Sequence, residues 1–185
     1  MTRYSRTTMP SPIGILTIIA GDDAVVAIDW DGADGHGALS DDAEIVDVDA
    51  SGHPALRLAV TQLGEYLAGE RTDFDLPLAA RGTAFQHQAW DALSRIPFGE
   101  TVSYREQAVM LGDKNKARAV GAANGRNPIP IVVPCHRVVG STGKLTGFAG
   151  GLDTKAWLLD HELAVRTNTT GQTLRVRTSG QDRSG

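Results

Sequence analysis

The stretch NPIPIVVPCHRVVG, residues 127–140, is the most informative part of this sequence. Three prolines fall within seven residues, at Pro128, Pro130 and Pro134, so the stretch cannot be helical. It predicts an extended, stiff segment that holds the next residue in a fixed place. That residue is Cys135, the single cysteine of the 185-residue chain. One thiol excludes an internal disulfide and any zinc site built from several cysteines.

A lone cysteine is more often a small buried hydrophobe than a nucleophile. Here three features favour the nucleophile: the proline-ended segment before Cys135, the basic pair His136 and Arg137 directly after it, and a glycine-rich stretch at 140–151. Positive charge nearby lowers the pKa of a thiol and increases the thiolate population. The sequence therefore predicts a reactive Cys135.

His136 is a candidate base for that thiol. Adjacent side chains of an extended chain point to opposite faces, so contact between the two requires a bridging water or a turn that begins at Cys135. A histidine base is usually oriented by a carboxylate on its other ring nitrogen. The last amphipathic segment, 153–163, offers Asp153, Asp160 and Glu162. Asp153 stands where a helix N-cap is expected, and the residues alone do not decide between the other two.

A pair of short helices precedes this stretch. Ser103 and Glu106 have the spacing of a capping box and open a helix that breaks at Gly112. A second helix, rich in small residues, is predicted at 115–123, with Lys114, Lys116 and Arg118 near its start. Two helices joined by a tight turn are typical of a helix-turn-helix that binds DNA, and equally of any packed helical hairpin.

The N-terminal part has a different pattern. β-rich runs are predicted at 13–20, 24–30 and 45–48, followed by a helix at 54–68 that stops at Gly69 and a further strand at 74–78. After a break at 81–83, Thr83 caps another helix that ends at Pro97. The fold class is therefore α+β: a small N-terminal sheet and helix domain (1–80), a mainly helical C-terminal domain with the helix-turn-helix and Cys135 (81–165), and a disordered tail (166–185).

Composition sets limits on the function. Hydrophobic residues make up 41% and charged residues 22%, as in ordinary globular proteins. No apolar run reaches the ~20 residues that span a bilayer, and the first residues do not resemble a signal peptide, so we expect a cytoplasmic protein without a membrane partner. Residues 1–80 hold 14 acidic and 4 basic side chains, whereas residues 81–165 hold 10 basic and 7 acidic ones. Only the second part suits a nucleic acid.

PCHRV, residues 134–138, resembles the signature of the O6-alkylguanine-DNA alkyltransferases, also called methylated-DNA-protein-cysteine methyltransferases. The resemblance is strong over residues 81–163 and loose before them. Its further motifs occur in order along the chain: IPFGE (96–100), SY (103–104), ARAVG (117–121), NP (127–128), GGL (150–152) and WLLDHE (157–162).

This resemblance implies a set of catalytic roles. Cys135 would accept the alkyl group from a flipped-out O6-alkylguanine, and His136 would act through water as its base. Glu162 would orient His136, Asn127 would brace the active-site turn, and Tyr104 would assist base rotation and protonate the departing guanine. The product is a thioether, so transfer would be irreversible and stoichiometric, and no cofactor or metal is required.

The resemblance also implies the binding surfaces. Arg118 would enter duplex DNA from the minor groove and fill the gap left by the extruded base. The DNA-binding set is Arg118, Tyr104, Ala117, Lys116 and Arg126. The guanine pocket is formed by Pro130, Val138, Ser141, Phe148 and Ala149. The implied partner is double-stranded DNA carrying O6-alkylguanine, with O4-alkylthymine as a second lesion, bound by a protein that is monomeric in solution and clusters in several copies on DNA.

Two departures from the family stand out. Phe148 occupies a position where relatives often have tyrosine, which removes a hydroxyl from the stacking surface. Some relatives bind zinc in the N-terminal domain, but this chain has only His36, His53 and His87 before the signature, so no such site is expected. Two other functions compete with alkyl transfer: a DNA-binding module without chemistry, in which Cys135→Ala changes nothing, and a cysteine hydrolase that turns over esters or amides with Cys135 and His136.

Overall fold

A computed structural model describes residues 2–30 and 38–179, with side chains up to residue 168. The N-terminal part is a four-stranded sheet of β1 (Thr2–Ser11), β2 (Gly14–Ala20), β3 (Val25–Trp30) and β4 (Ala43–Asp47). The strands lie in the order β3-β2-β1-β4. Strands β1 and β2, and β2 and β3, are antiparallel, whereas β1 and β4 are parallel.

The predicted runs at 13–20, 24–30 and 45–48 are confirmed as β2, β3 and β4, but β1 was not predicted. This strand is mostly polar, and only Tyr4 among its side chains is buried. It lies between β2 and β4 and pairs with both, so its stability comes from backbone hydrogen bonds that leave no apolar pattern in the sequence.

Helix α1 (Pro54–Leu67) covers one face of this sheet. Leu56 and Leu63 of its predicted apolar stripe are fully buried, and Val60 and Leu67 are half-buried. Burial is completed by Ala59 and Tyr66, so the buried face is rotated slightly from the predicted stripe. The helix begins at a proline in its first turn and is followed by Gly69, whose φ is +78°.

The strand predicted at 74–78 is wrong. Only Leu78 forms a bridge, with Val25, and the Gln62 side chain binds both the N–H and the carbonyl of Asp75. Pro77 has no N–H to donate, so the segment cannot complete a ladder. It is a tether between β3 and α1.

The second part of the chain is mainly helical. Thr83 caps its helix as predicted, through a capping box with Gln86, but that helix ends at Leu93, before the predicted end at Pro97. Ser103 and Glu106 form the capping box that their spacing predicts. A 3₁₀ turn at Lys114–Lys116 precedes the second helix of the predicted pair, and the two helices pack on each other. Two short parallel strands join this helical region to the segment after Cys135. The elements are α2 (Ala84–Leu93), β5 (Val102–Ser103), α3 (Tyr104–Met110), α4 (Ala117–Asn124), β6 (Val138–Val139) and α5 (Leu152–Ser179).

The segment before Cys135 is turned and buried, which corrects the prediction of an extended chain. Val133 N–H binds the carbonyl of Ile129, and Ile131 has a φ of +74°, the one positive value outside glycine among the described residues. The prolines remove donors and fix φ, but they allow successive turns. A 3₁₀ turn then spans Cys135–Arg137.

Helix α5 differs from its prediction at both ends. It begins at Leu152, so Asp153 lies in the first turn and is not the N-cap. Its backbone continues to Ser179, through most of the segment predicted as a disordered tail. No proline interrupts it, and a helix already nucleated by packing extends at low cost per residue. The rest of that tail, 180–185, lies outside the described residues, as does His36.

The larger of the two apolar clusters among the described residues joins the two parts. It extends from Leu16 on β2 through Leu63 on α1 and Leu93 on α2 to Leu158 on α5, and it includes Cys135. The candidate nucleophile is therefore held in the core of the molecule. None of the helices in the described part of the chain is both long and apolar enough to cross a membrane.

Candidate active site

Cys135 is held by the side chain of Asn127. Its Nδ2 donates to the Cys135 Sγ at 3.2 Å and to the Val133 carbonyl at 2.8 Å, while its Oδ1 accepts from the Ile129 N–H at 3.0 Å. One amide thus binds the thiol and both ends of the turn before it. The whole Cys135 residue is 8% exposed.

His136, directly after Cys135 in the chain, is fully buried. Its Nε2 lies 2.8 Å from Glu162 Oε1. An ionised carboxylate can only accept a hydrogen bond, so Nε2 carries the ring proton and donates a hydrogen bond to Glu162. The other ring nitrogen, Nδ1, has no partner among the described residues, and in this tautomer it holds a free lone pair. The structure places Glu162 on the ring, while Asp153 and Asp160 are exposed.

Glu162 accepts hydrogen bonds from four residues of three regions of the chain. Besides His136, Arg137 donates to Glu162 through Nε at 3.0 Å and through Nη2 at 2.9 Å. The Tyr66 hydroxyl donates at 2.7 Å, and the Gly99 N–H donates at 2.8 Å. Gly99 has a φ of +73°, and a Cβ there would lie 3.2 Å from the backbone oxygen of Glu162. The close approach of this loop to α5 therefore requires glycine.

Burial and neighbouring charges set the pKa values at this site. Burial by itself would raise the pKa of Glu162, but the hydrogen bonds and charges of His136 and Arg137 outweigh it and hold that pKa well below the usual range. Burial lowers the pKa of His136, against the opposing effect of Glu162. The resting pair is thus a neutral imidazole and a carboxylate.

Cys135 has a raised pKa, contrary to the expectation from its basic neighbours. Burial raises it, and the Asn127 hydrogen bond and the charge of Lys155 only partly compensate. Arg137 directs its guanidinium to Glu162 and the Ile96 carbonyl, not to the thiol. The resting nucleophile is therefore a thiol that needs a base.

Lys155 was not singled out from the sequence. It is fully buried on α5, and its Nζ donates to the Val138 carbonyl at 2.6 Å and to the Thr146 carbonyl at 2.7 Å. The ammonium also lies 5.9 Å from the centre of the Tyr104 ring. Its position in a charged, exposed-looking helix start gave no signal of burial.

Tyr104 is the first residue of α3 and is half-buried. Its hydroxyl donates to the Thr146 carbonyl at 3.1 Å, so Tyr104 and Lys155 bind the same oxygen. Residues 140–151 are thereby tied to the rest of the site. Phe148 in this loop makes an edge contact with Trp30, with ring centres 5.6 Å apart. A Cβ on Gly150 would lie 2.8 Å from the Trp30 ring, so only glycine allows this packing.

A cavity of about 180 Å³ opens beside Asn127. It brings together Pro130 and Ala149 of the predicted pocket with Arg126 of the predicted DNA-binding set. The other predicted pocket residues do not line it: Val138 is buried, Phe148 is half-buried and Ser141 is exposed.

The predicted DNA-binding side chains lie on the surface of the second part. Arg118 is exposed on α4 and forms no ion pair within the described part of the chain. Lys116 and Arg126 are exposed before and after this helix, and Ala117 is half-buried. Gly121, one turn after Arg118, brings α4 against the Tyr104 ring, since a Cβ there would lie 3.6 Å from it.

Comparison with known proteins places this geometry in a family. Residues 84–164 match the 6-O-methylguanine DNA methyltransferase DNA-binding domain, and residues 5–80 match the ribonuclease-like domain of the same proteins. A methylated-DNA–protein-cysteine methyltransferase of Mycolicibacterium paratuberculosis is 48% identical over 162 residues, covering 82% of this chain and 88% of that protein. The constitutive enzyme of that name from Bacillus subtilis is 42% identical, covering 84% and 93%.

The chain belongs to the methylated-DNA–protein-cysteine methyltransferase family. The family and enzyme class predicted from the sequence are both confirmed. Solved structures agree: the Mycobacterium tuberculosis O6-methylguanine methyltransferase has a TM-score of 0.73 at 41% identity, covering 89% of this chain and 94% of that one. The Mycobacterium tuberculosis protein in complex with DNA has a TM-score of 0.75 at 42% identity, covering 88% and 94%.

Within this family fold, the site contains two residues that sequence reasoning missed, Lys155 and Tyr66, and a role for Arg137 as a partner of Glu162. Tyr66 belongs to the N-terminal part and is 96 residues away from Glu162 in sequence. In the described part of the chain, no group of three or more His, Cys, Asp or Glu side chains is placed to hold a metal ion. His53 precedes α1, and His87 packs on Trp90.

Proposed function

We propose that this chain repairs duplex DNA by moving the alkyl group of O6-alkylguanine onto Cys135, once per molecule. The observation that carries the proposal is the arrangement of Cys135 in a turn fixed by Asn127, directly before the buried pair of His136 and Glu162. Family membership supplies the reaction class, since the relatives are named for transfer from methylated DNA to a protein cysteine.

The reaction requires that one proton leave the Cys135 thiol and that another reach the departing guanine. His136 Nδ1 takes the Cys135 proton through a water molecule, and Glu162 stabilises the imidazolium that forms. The sulfur then attacks the alkyl carbon in line with the carbon–oxygen bond. A sulfur–carbon bond forms and the bond to O6 breaks, while the Tyr104 hydroxyl protonates the departing guanine. The imidazolium of His136 then releases its proton to solvent, and Tyr104 regains one from solvent.

A general base fits the electrostatics of the site. The thiol has a raised pKa, so deprotonation has to accompany the reaction and is not complete beforehand. Burial keeps His136 neutral, and its Nδ1 has no hydrogen-bond partner among the described residues. The thioether product carries no bond that water cleaves readily, which makes the transfer self-inactivating.

The target base has to leave the helix to reach a buried thiol, at a cost of about a few kcal/mol for unstacking. Arg118 approaches from the minor groove and fills the gap in the stack, which offsets part of this cost. Arg118 is exposed between the exposed Lys116 and Arg126 and has no ion-pair partner in the part of the chain that the structure describes, which supports this role. Ala117 allows the backbone of α4 to approach the phosphates closely.

Tyr104 and the loop 140–151 form the wall of the base pocket. The Tyr104 hydroxyl now binds an exposed loop carbonyl at 3.1 Å, and a guanine acceptor replaces that partner at small cost. Pro130 and Ala149 line the cavity beside Asn127. Val138, Ser141 and Phe148 do not line this cavity, and their part in holding the base rests on the family resemblance alone. O4-alkylthymine presents the same alkyl–oxygen bond and is the second substrate.

The organisation of the chain fits this function. Residues 1–80 hold the acidic sheet and helix, and residues 81–165 hold the basic DNA-binding and acceptor unit. The separate family matches over residues 5–80 and 84–164 support this division.

The mass of the intact protein tests the proposal. After incubation with a duplex oligonucleotide carrying O6-methylguanine, we expect a gain of one methylene mass, saturating at one per protein and mapping to Cys135. Cys135→Ala should bind the same duplex without any gain. An unchanged mass of the unmodified protein on bound DNA would make this chain a damage-binding module, and repeated turnover of an ester would make it a hydrolase.

A further inference from the structure

Tyr66 connects the N-terminal helix to the reactive site. It lies near the end of α1 and is fully buried, and its hydroxyl donates to Glu162 Oε1 at 2.7 Å. Its own carbonyl accepts from His161 Nε2 at 2.8 Å, and its ring packs against Phe98 with centres 6.0 Å apart. Both the backbone and the side chain of Tyr66 are therefore fixed to α5.

The Tyr66 hydroxyl and the His136 ring donate to the same oxygen, Glu162 Oε1. Glu162 Oε1 lies 2.7 Å from the Tyr66 oxygen, 2.8 Å from His136 Nε2 and 2.9 Å from Arg137 Nη2. Each donor withdraws negative charge from this oxygen and reduces what remains for the imidazole ring. A neutral phenol that donates here thus weakens the attraction between Glu162 and a protonated His136.

We propose that Tyr66 is a positioning residue for alkyl transfer, whose hydroxyl fixes the Glu162 carboxylate and limits the charge that Oε1 presents to His136. The inference rests on the proposed function, in which His136 is the base. It assigns the N-terminal part of the chain a role in the chemistry, since the hydroxyl comes from α1 and the rest of the relay from the C-terminal part.

Other charged and titratable groups also face this relay. Arg137 from the turn donates to Glu162. The charge of Lys155 on α5 acts through space on both the His136 ring and the Cys135 thiol. The His161 ring stacks on Trp157 and meets the edge of Tyr66. All of these groups stay in place when only the Tyr66 hydroxyl is removed.

The direction of the effect follows from the geometry. Without the hydroxyl, Glu162 attracts the imidazolium more strongly, so the pKa of His136 rises. Transfer requires the neutral ring, and the acid limb of the pH–rate profile therefore moves to higher pH. A fluorinated tyrosine at position 66 has a more acidic hydroxyl and donates more strongly, so it moves the same limb to lower pH.

The experiment measures the single-turnover rate of transfer from duplex O6-methylguanine against pH. We expect Tyr66→Phe to raise the midpoint of the acid limb by about half a pH unit, equivalent to roughly threefold in rate on that limb. Tyr4→Phe removes a hydroxyl from a buried tyrosine in the sheet, in a different apolar cluster from Tyr66 and Cys135, and should leave the profile unchanged. Site-specific incorporation of fluorotyrosine at 66 should give the opposite shift.

Opposite shifts of the two Tyr66 forms establish the proposal, because a packing defect does not reverse sign. A Tyr66→Phe profile that superimposes on the unmodified one overturns it, and so does a rate reduced equally at every pH. If Tyr66→Phe does not fold, the fluorotyrosine protein decides alone, since it keeps the hydrogen bond. Absence of transfer by the unmodified protein would instead refute the proposed function.

Discussion

At the scale of single residues, Lys155 is a buried ammonium whose hydrogen-bond partners in the described chain are two carbonyl oxygens. No carboxylate neutralises it there, and burial lowers its pKa while the nearby Cys135 opposes that shift. An unpaired buried charge is costly and is kept where it acts on something. Lys155 stabilises the Cys135 thiolate that forms during transfer. It also holds the loop that carries Phe148 through its bond to the Thr146 carbonyl.

We therefore expect Lys155→Met to raise the pKa of Cys135 and to slow transfer. One pKa unit would reduce the thiolate population about tenfold at neutral pH. The pH dependence of Cys135 labelling by a small alkylating reagent measures the thiol directly, and the transfer rate measures the consequence. Lys144→Met removes an exposed charge from the same loop and should change neither. Equal labelling profiles for the two variants would show that Lys155 does not act on the thiol.

The sequence predicted the parts of the site that are local and missed those that depend on folding. Asn127, Cys135 and His136 lie within ten residues, and the family resemblance selected Glu162. Lys155 was missed because a lysine near a helix start is typical of a solvated face, and its burial depends on loop 140–151 folding over it. The raised pKa of Cys135 was missed for the same reason: adjacent basic residues predict charge, but only the fold shows where the charge points.

At the scale of elements, the pair α3 and α4 matched its prediction because its signals are local. The capping box of Ser103 and Glu106 and the break at Gly112 each specify backbone geometry within a few residues. Strand β1 was not predicted and the strand at 74–78 was predicted wrongly, because both segments depend on partners distant in sequence. An element held by side-chain or backbone bonds to remote residues leaves a weak pattern of its own.

The function of α4 gives a prediction at this scale. Arg118→Ala should slow transfer from O6-methylguanine in duplex DNA by about tenfold or more, because the cost of base extrusion is no longer offset. Transfer from the free base O6-benzylguanine needs no extrusion and should be nearly unchanged. Arg57→Ala, which removes an exposed arginine from α1, serves as the control for charge loss. Equal slowing on both substrates would exclude Arg118 from base extrusion.

At the scale of the whole molecule, one buried carboxylate holds four segments together. Glu162 of α5 binds Tyr66 of α1, the loop at Gly99 and the turn at His136 and Arg137. The relay that supports the nucleophile is thus also a tie between the two parts of the fold. Stability and activity should depend on the protonation of the same groups.

This coupling predicts how stability changes with pH. The folded pKa of His136 lies below its ordinary value of 6.5, so the unfolded chain binds more protons and stability falls as pH drops below 6.5. The folded pKa of Glu162 lies below its ordinary value of 4.5, so a second loss begins there and continues to lower pH. Both losses have the same sign, and neither operates above neutral pH.

Glu162→Gln should distinguish the loss of stability below pH 6.5, due to His136, from the loss below pH 4.5, due to Glu162. At pH 7 it leaves Arg137 buried without its counter-ion and should lower the free energy of unfolding by about 3–5 kcal/mol. Below pH 4.5 the variant lacks the carboxylate, so its stability should decline less steeply than that of the unmodified protein. Urea unfolding between pH 3.5 and 7.5 measures both effects, with Asp160→Asn, exposed on the same helix, as the control. If Glu162→Gln kept the full acid-induced loss, another carboxylate would be responsible for it, and Glu162 would not be the group that links the folded state to pH.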